Sequence, residues 1–120
     1  MERPAYEAII QEAITALPKA IREGMKDVLI MLEEEQPKER GGLLLGLYEG
    51  IPLTQWGREM SGKPPDKITL FRQSIEQYAH NPEEIPDLIR ETLWHEIAHY
   101  FGFGHDRIGQ MEKRWRKRRI

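Results

Sequence analysis

Three of the four histidines in this 120-residue chain fall within residues 95–105, HEIAHYFGFGH. His95 and His99 are four apart, so on a helix their imidazoles project from one face about a turn apart. At that separation two side chains can share one tetrahedral Zn²⁺. Glu96 follows His95, where its carboxylate can reach a metal-bound water rather than the metal itself. Gly102 lets the chain leave the helix in a conformation that carries no side-chain penalty, and the turn would return His105 as a third ligand. Three neutral imidazoles leave the ion its double charge and a fourth position for water, whose pKa falls from about 15.7 to about 7. Glu96 would take the remaining proton as water attacks a carbonyl, then hand it to the leaving amine. The implied reaction is amide hydrolysis with Glu96 as general base. Zn²⁺ suits this ligand set, although Fe²⁺, Co²⁺ or Ni²⁺ could bind it too.

A lone histidine on an apolar face is more often a hydrogen-bonded core residue, and two at this spacing can be coincidence. The joint placement of Glu96, Gly102 and His105 argues against coincidence. His80 lies outside the motif, before Asn81 in a turn, and reads as a solvent-exposed residue.

The elements that must position these groups follow from periodicity and punctuation. Residues 4–17 place Ile9, Ile10, Ala13, Ile14 and Leu17 at helical spacing, with Pro4 near the start and Pro18 as the break. Lys19 to Gly24 reads as a short further turn of helix. Val28 to Leu32, Leu43 to Tyr48 and Ile68 to Phe71 are apolar runs of strand length. Gln36 to Gly42 reads as a loop, and Glu49 to Lys67, rich in Gly and Pro, as a long irregular one. Ser74 to Ala79 reads as a short helix. Asn81-Pro82-Glu83-Glu84 has the form of a helix start, with Pro86 as the rival start. From Pro86 to Phe101, Ile89, Leu93, Ile97 and Tyr100 mark a core stripe, while Leu88, Thr92, His95 and His99 form another. A helix of this kind suits the floor of a cleft. Residues 106–118 read as a closing helix with Ile108, Met111 and Trp115 turned inward.

Length and composition predict a single domain over residues 1–120. A charged fraction of 32% beside 39% hydrophobic residues describes a foldable chain rather than a disordered one. With no cysteine, disulfides, thiolate zinc sites and cysteine nucleophiles are excluded. No apolar run is long enough to span a bilayer, the N-terminus does not resemble a secretory signal, and the expected location is cytoplasmic. Residues 1–112 carry 12 Lys/Arg against 20 Asp/Glu, whereas residues 113–120, KRWRKRRI, carry six cations and no acid. The basic tail reads first as a solvated helix end complementing the helix dipole. Its alternative role is contact with RNA, an acidic partner or the acidic body itself.

HEIAHYFGFGH matches HExxHxxGxxH, the extended zinc-binding signature of metzincin proteases. With LLLGLYEGIPLTQWG (43–57), PPDKITLFRQSIE (64–76) and ETLWHEIAHYFG (91–102), the chain resembles a family of small bacterial metallopeptidase-like proteins, single minimal-zincin domains of about this length. The resemblance runs from the first helix to the last. It implies an α+β, minimal zincin-like fold: a small three- to four-stranded sheet packed on the N-terminal helix and the motif helix, with a closing C-terminal helix. Family members often carry Asp where this chain has His105. His105 is the favoured third ligand, with Asp106 as its rival or as a hydrogen-bonding support. Met111 is not assigned to the methionine turn of metzincins. With no propeptide visible, slow, narrowly selective or conditional activity is expected rather than broad digestion.

The substrate expected is a peptide or protein of unspecified sequence, bound along a sheet edge by strand addition, with Ile68–Phe71 or Leu43–Tyr48 supplying that edge. Tyr48, Arg72, Tyr78 and Arg107 are candidates to stabilise an oxyanion. Two other functions stay open. One is a non-catalytic module that uses the zincin fold for binding. The other is a metal-dependent ribonuclease, because a bacterial rRNA-maturing endoribonuclease family also spaces three histidines as HxxxHxxxxxH; that family has no Glu at the position of Glu96. Nothing in the sequence indicates an oligomeric state.

Overall fold

Helix α1 (Arg3–Thr15) opens with proline in its first turn, where the missing N–H would have had no partner anyway. Tyr6, Ile10 and Ala13 line its buried face. The helix ends short of the expected Leu17. Proline disfavours helical backbone in the residue before it, and Pro18 instead precedes α2 (Lys19–Gly24), whose bounds are those expected. The computed structural model describes residues 1–39, 41–50 and 66–102. Most of the loop expected at 49–67, the closing helix expected at 106–118 and the basic tail 113–120 lie outside the described residues.

Strands β1 (Leu29–Glu33), β2 (Gly46–Glu49) and β3 (Lys67–Phe71) form a sheet in the order β1-β3-β2. β1 runs parallel to β3, with Ile30 opposite Ile68 and Leu32 opposite Leu70. β2 runs antiparallel to it, with Gly46 opposite Leu70 and Tyr48 opposite Ile68. A parallel pair needs a long crossover, and here β2 is carried within that crossover. Ile68, Thr69, Leu70 and Phe71 are all buried, as befits a central strand. In β1 only Leu32 is buried, while Leu29 and Met31 are exposed. β2 starts later than the expected Leu43, because the Leu44 N–H is bonded to Gln36 Oε1 at 2.8 Å instead of to a neighbouring strand.

Helix α3 (Arg72–Tyr78) follows β3 without a loop and begins two residues earlier than expected. A 3₁₀ turn, Pro82–Glu84, then leads into α4 (Ile85–Tyr100). The Asn81 side chain does not cap that turn. The reciprocal bond of the expected box is not formed either, because the Glu84 carboxylate reaches past Asn81 and accepts from the His80 N–H at 2.7 Å. α4 packs against α1, α3 and strands β2 and β3. Tyr6, Ile68, Leu70, Ile75, Ile85, Ile89 and Leu93 are completely buried where these elements meet. Burying each large apolar side chain of this kind contributes about 1.5–3 kcal/mol, so the motif helix sits at the centre of the fold. The α+β class is as expected. Among the described residues no helix is long and apolar enough to cross a membrane.

Candidate metal centre and cleft

The two histidines meet as their spacing predicts. His95 Nε2 and His99 Nε2 lie 3.0 Å apart, and the ring centroids are 4.7 Å apart at an edge-on angle of 63°. Two ligands of a tetrahedral ion, each about 2.05 Å from it, are separated by about 3.3 Å. The pair therefore fits one shared Zn²⁺ after a small opening, and both rings remain partly accessible. Glu96, between them in sequence, is 9% exposed. Among the described residues no group of three His, Cys, Asp or Glu converges as a metal site. The third ligand, His105 or its rival Asp106, lies outside the described residues, as do Arg107 and Met111. His80 is exposed, as read from the sequence.

The helix is stopped just beyond the pair. The Gly102 N–H bonds to the His99 carbonyl at 2.9 Å, and Gly102 adopts φ 80°, a left-handed conformation that glycine enters without strain. The end of α4 is also pinned from the side. Tyr100 Oη donates to the Gly24 carbonyl at 2.9 Å, and its ring meets those of Tyr48 and Phe101 edge-on at 6.0 and 5.1 Å. Burial, then the nearby carboxylates of Asp66 and Asp27, pushes the Tyr100 phenol upward, so it is held as a neutral donor.

A cleft of about 270 Å³ opens beside the histidines. One wall is a single face of α4, formed by Leu88, Glu91, Thr92, His95 and Glu96; the other is Leu44, Leu45 and Gly46, and Tyr78 stands at the rim. The opposite wall is set by a clamp that the sequence did not reveal. Gln36 accepts from the Leu44 N–H at 2.8 Å and from Ser74 Oγ at 2.9 Å, and its Nε2 donates to the Gly42 carbonyl at 2.7 Å. At Gly46 the strand comes so close to α4 that a side-chain Cβ would lie 2.7 Å from Thr92 Cγ2. Thr92 is accordingly buried.

The structure separates the three candidate oxyanion groups that lie among the described residues. The Arg72 guanidinium is engaged by Glu34, with Nε at 3.0 Å from both carboxylate oxygens and Nη2 at 2.8 Å, and it also donates to the Met1 carbonyl at 3.0 Å. It is a structural cation away from the cleft. Tyr48 Oη donates to Asp66 Oδ2 at 3.0 Å, and burial followed by that bond raises its pKa. Tyr78 alone of the described three borders the cleft. Of the two candidate edges for a bound peptide, Ile68–Phe71 is excluded because β3 is the central strand with a neighbour on each side. β2 is an outer strand of the described sheet.

A family model described as zincin-like metallopeptidase matches residues 25–115. No curated protein matches the chain. Among solved structures, a conserved hypothetical protein from Thermo thermophilus is similar, with 22% identity, a TM-score of 0.57, and coverage of 82% of this chain and 92% of that one. At that identity the likeness speaks to the fold.

Proposed function

Because the chain belongs to the zincin-like metallopeptidase family, we propose that it is a zinc-dependent peptidase with Glu96 as its general base. His95 and His99 would hold the ion, with His105 as third ligand and Asp106 as the rival. When bound, Zn²⁺ supplies Lewis acidity, acidifying a water and polarising a carbonyl. The remaining steps belong to the chain. Glu96 takes the proton of the attacking water at its carboxylate and delivers it to the departing amine nitrogen. Glu96 is 9% exposed and lines the cleft. The substrate would lie extended beside β2, in the cleft that His95 and Glu96 both line.

The observation that carries this reading is the convergence of the two Nε2 atoms at 3.0 Å in a helix whose next carboxylate faces the same cleft. Calorimetric titration of the chelator-stripped protein with Zn²⁺ tests it. One ion per chain should bind, and His95→Ala should weaken that binding by about 100-fold or more. Equal binding by the variant would remove His95 from the site.

A further inference from the structure

We propose that Tyr48 is a positioning residue for the metal centre, setting through Tyr100 where the last turn of α4 holds His99 relative to His95. The inference rests on the reading of His95 and His99 as zinc ligands and adds what keeps them in place.

The two histidines sit in unequally supported turns. His95 lies between Leu93 and Ile97, 0% and 5% exposed, whose burial holds that turn in the core. α4 ends at Tyr100, so His99 belongs to the last turn, where helices fray. The bond from the Gly102 N–H satisfies the His99 carbonyl but does not fix the turn sideways. The Nε2 atoms must part from 3.0 Å to about 3.3 Å to share an ion. A metal constellation must be held within about 0.5 Å of its working geometry. The last turn therefore needs support from outside the helix.

That support comes from two directions. On one side Tyr100 Oη donates to the Gly24 carbonyl at 2.9 Å. The Phe101 ring seats on the same glycine, where an added Cβ would lie 3.1 Å from Cε1 and Cζ. These contacts tie the turn to α2. Tyr48 ties it to the sheet, its ring meeting that of Tyr100 edge-on at 6.0 Å and 71°, an arrangement that aromatic pairs prefer.

Tyr48 is itself fixed at both ends. Its backbone stands opposite Ile68 of β3, and its Oη donates to Asp66 Oδ2 at 3.0 Å. Asp66 is 3% exposed, and its carbonyl accepts from the Leu29 N–H of β1 at 2.8 Å. The phenol thus rests on a buried group that is bound to the sheet, and the ring it carries has little freedom to move away from Tyr100.

The test measures the Zn²⁺ affinity of the full-length chain by chelator competition, and the visible spectrum after loading with Co²⁺, whose bands respond to coordination geometry. Tyr48→Leu removes the ring contact and should weaken Zn²⁺ binding about tenfold, the low end of what loss of a ligand's support costs, and should change the Co²⁺ spectrum. Tyr48→Phe keeps the ring and loses the bond to Asp66, so its affinity should fall between that variant and wild type. Arg72→Gln breaks the pair with Glu34, away from the cleft. It should lower the urea midpoint while leaving affinity and spectrum as in wild type. Wild-type affinity and spectrum in both Tyr48 variants, whatever their stability, overturn the positioning role and leave the zinc site standing. An affinity loss in Arg72→Gln equal to that in Tyr48→Leu also overturns it, since any loss of stability would then loosen the site. If wild type itself binds no Zn²⁺, the site and the positioning role fall together.

Discussion

Gly46 of β2 and Thr92 of α4 approach so closely that a methyl group on the glycine would lie 2.7 Å from Thr92 Cγ2. The same added carbon would lie 3.2 Å from Leu70 Cδ2 and from the Thr69 carbonyl oxygen. The strand can therefore rest on the helix one turn before Glu96 only because position 46 has no side chain. This contact sets how far apart the two walls of the cleft stand.

Gly46→Ala should destabilise the fold by about 1–3 kcal/mol, the usual cost of overpacking, read as a lower urea midpoint. Thr92→Ser removes one of the obstructing atoms, so the double variant should recover part of the loss. Simple additivity of the two substitutions would show that the strand does not bear on Thr92.

Metal removal should abolish cleavage, and added Zn²⁺ should restore it. His99→Ala should behave like His95→Ala, each losing stoichiometric zinc on elemental analysis. His80→Ala, altering an exposed residue outside the motif, should retain it. Full zinc content in either motif variant would refute the shared site.

Tyr100→Phe should cost about 1 kcal/mol, the ordinary net worth of one hydrogen bond, because it removes the donor to the Gly24 carbonyl. The check is thermal and urea unfolding against wild type. No change would mean that the phenol contributes nothing to anchoring the end of α4.

The hydrogen bond from Arg72 is the largest influence holding the Glu34 carboxyl below its ordinary range, against an opposing effect of burial. A folded pKa below the unfolded one gives stability that is present above about pH 4.3 and lost as pH falls through the folded value. The stability gap between wild type and Glu34→Gln should therefore narrow with acidification. Urea unfolding from about pH 7 to about pH 3 measures it, and a gap of constant size would contradict the assignment.

Much of this was legible because it is local. The stripe Ile89, Leu93, Ile97, Tyr100 fixed the core face of α4, and the i, i+4 spacing put His95 beside His99. Gly102 marked the helix end through a backbone conformation few other residues adopt. What the sequence could not show depends on chain segments far apart. The pairing of β1 with β3 joins residues more than thirty positions apart, and Arg72 meets Glu34 across 38 residues. From sequence alone Arg72 was one of four candidates to stabilise an oxyanion, with nothing to choose among them. Thr92 was placed in the stripe with Leu88, His95 and His99, but its contact with Gly46 was hidden because a glycine contributes no side chain to any hydrophobic pattern. The Gln36 clamp was hidden for a similar reason: a polar residue in a charged loop gives no sign of which backbone groups it will bind.

The most direct measurement is the turnover of a cleaved peptide by Glu96→Gln at zinc content equal to wild type. Loss of a general base lowers turnover by about 10²–10⁴-fold, and that loss with undiminished zinc is the result predicted here. Turnover equal to wild type at equal zinc would contradict the account.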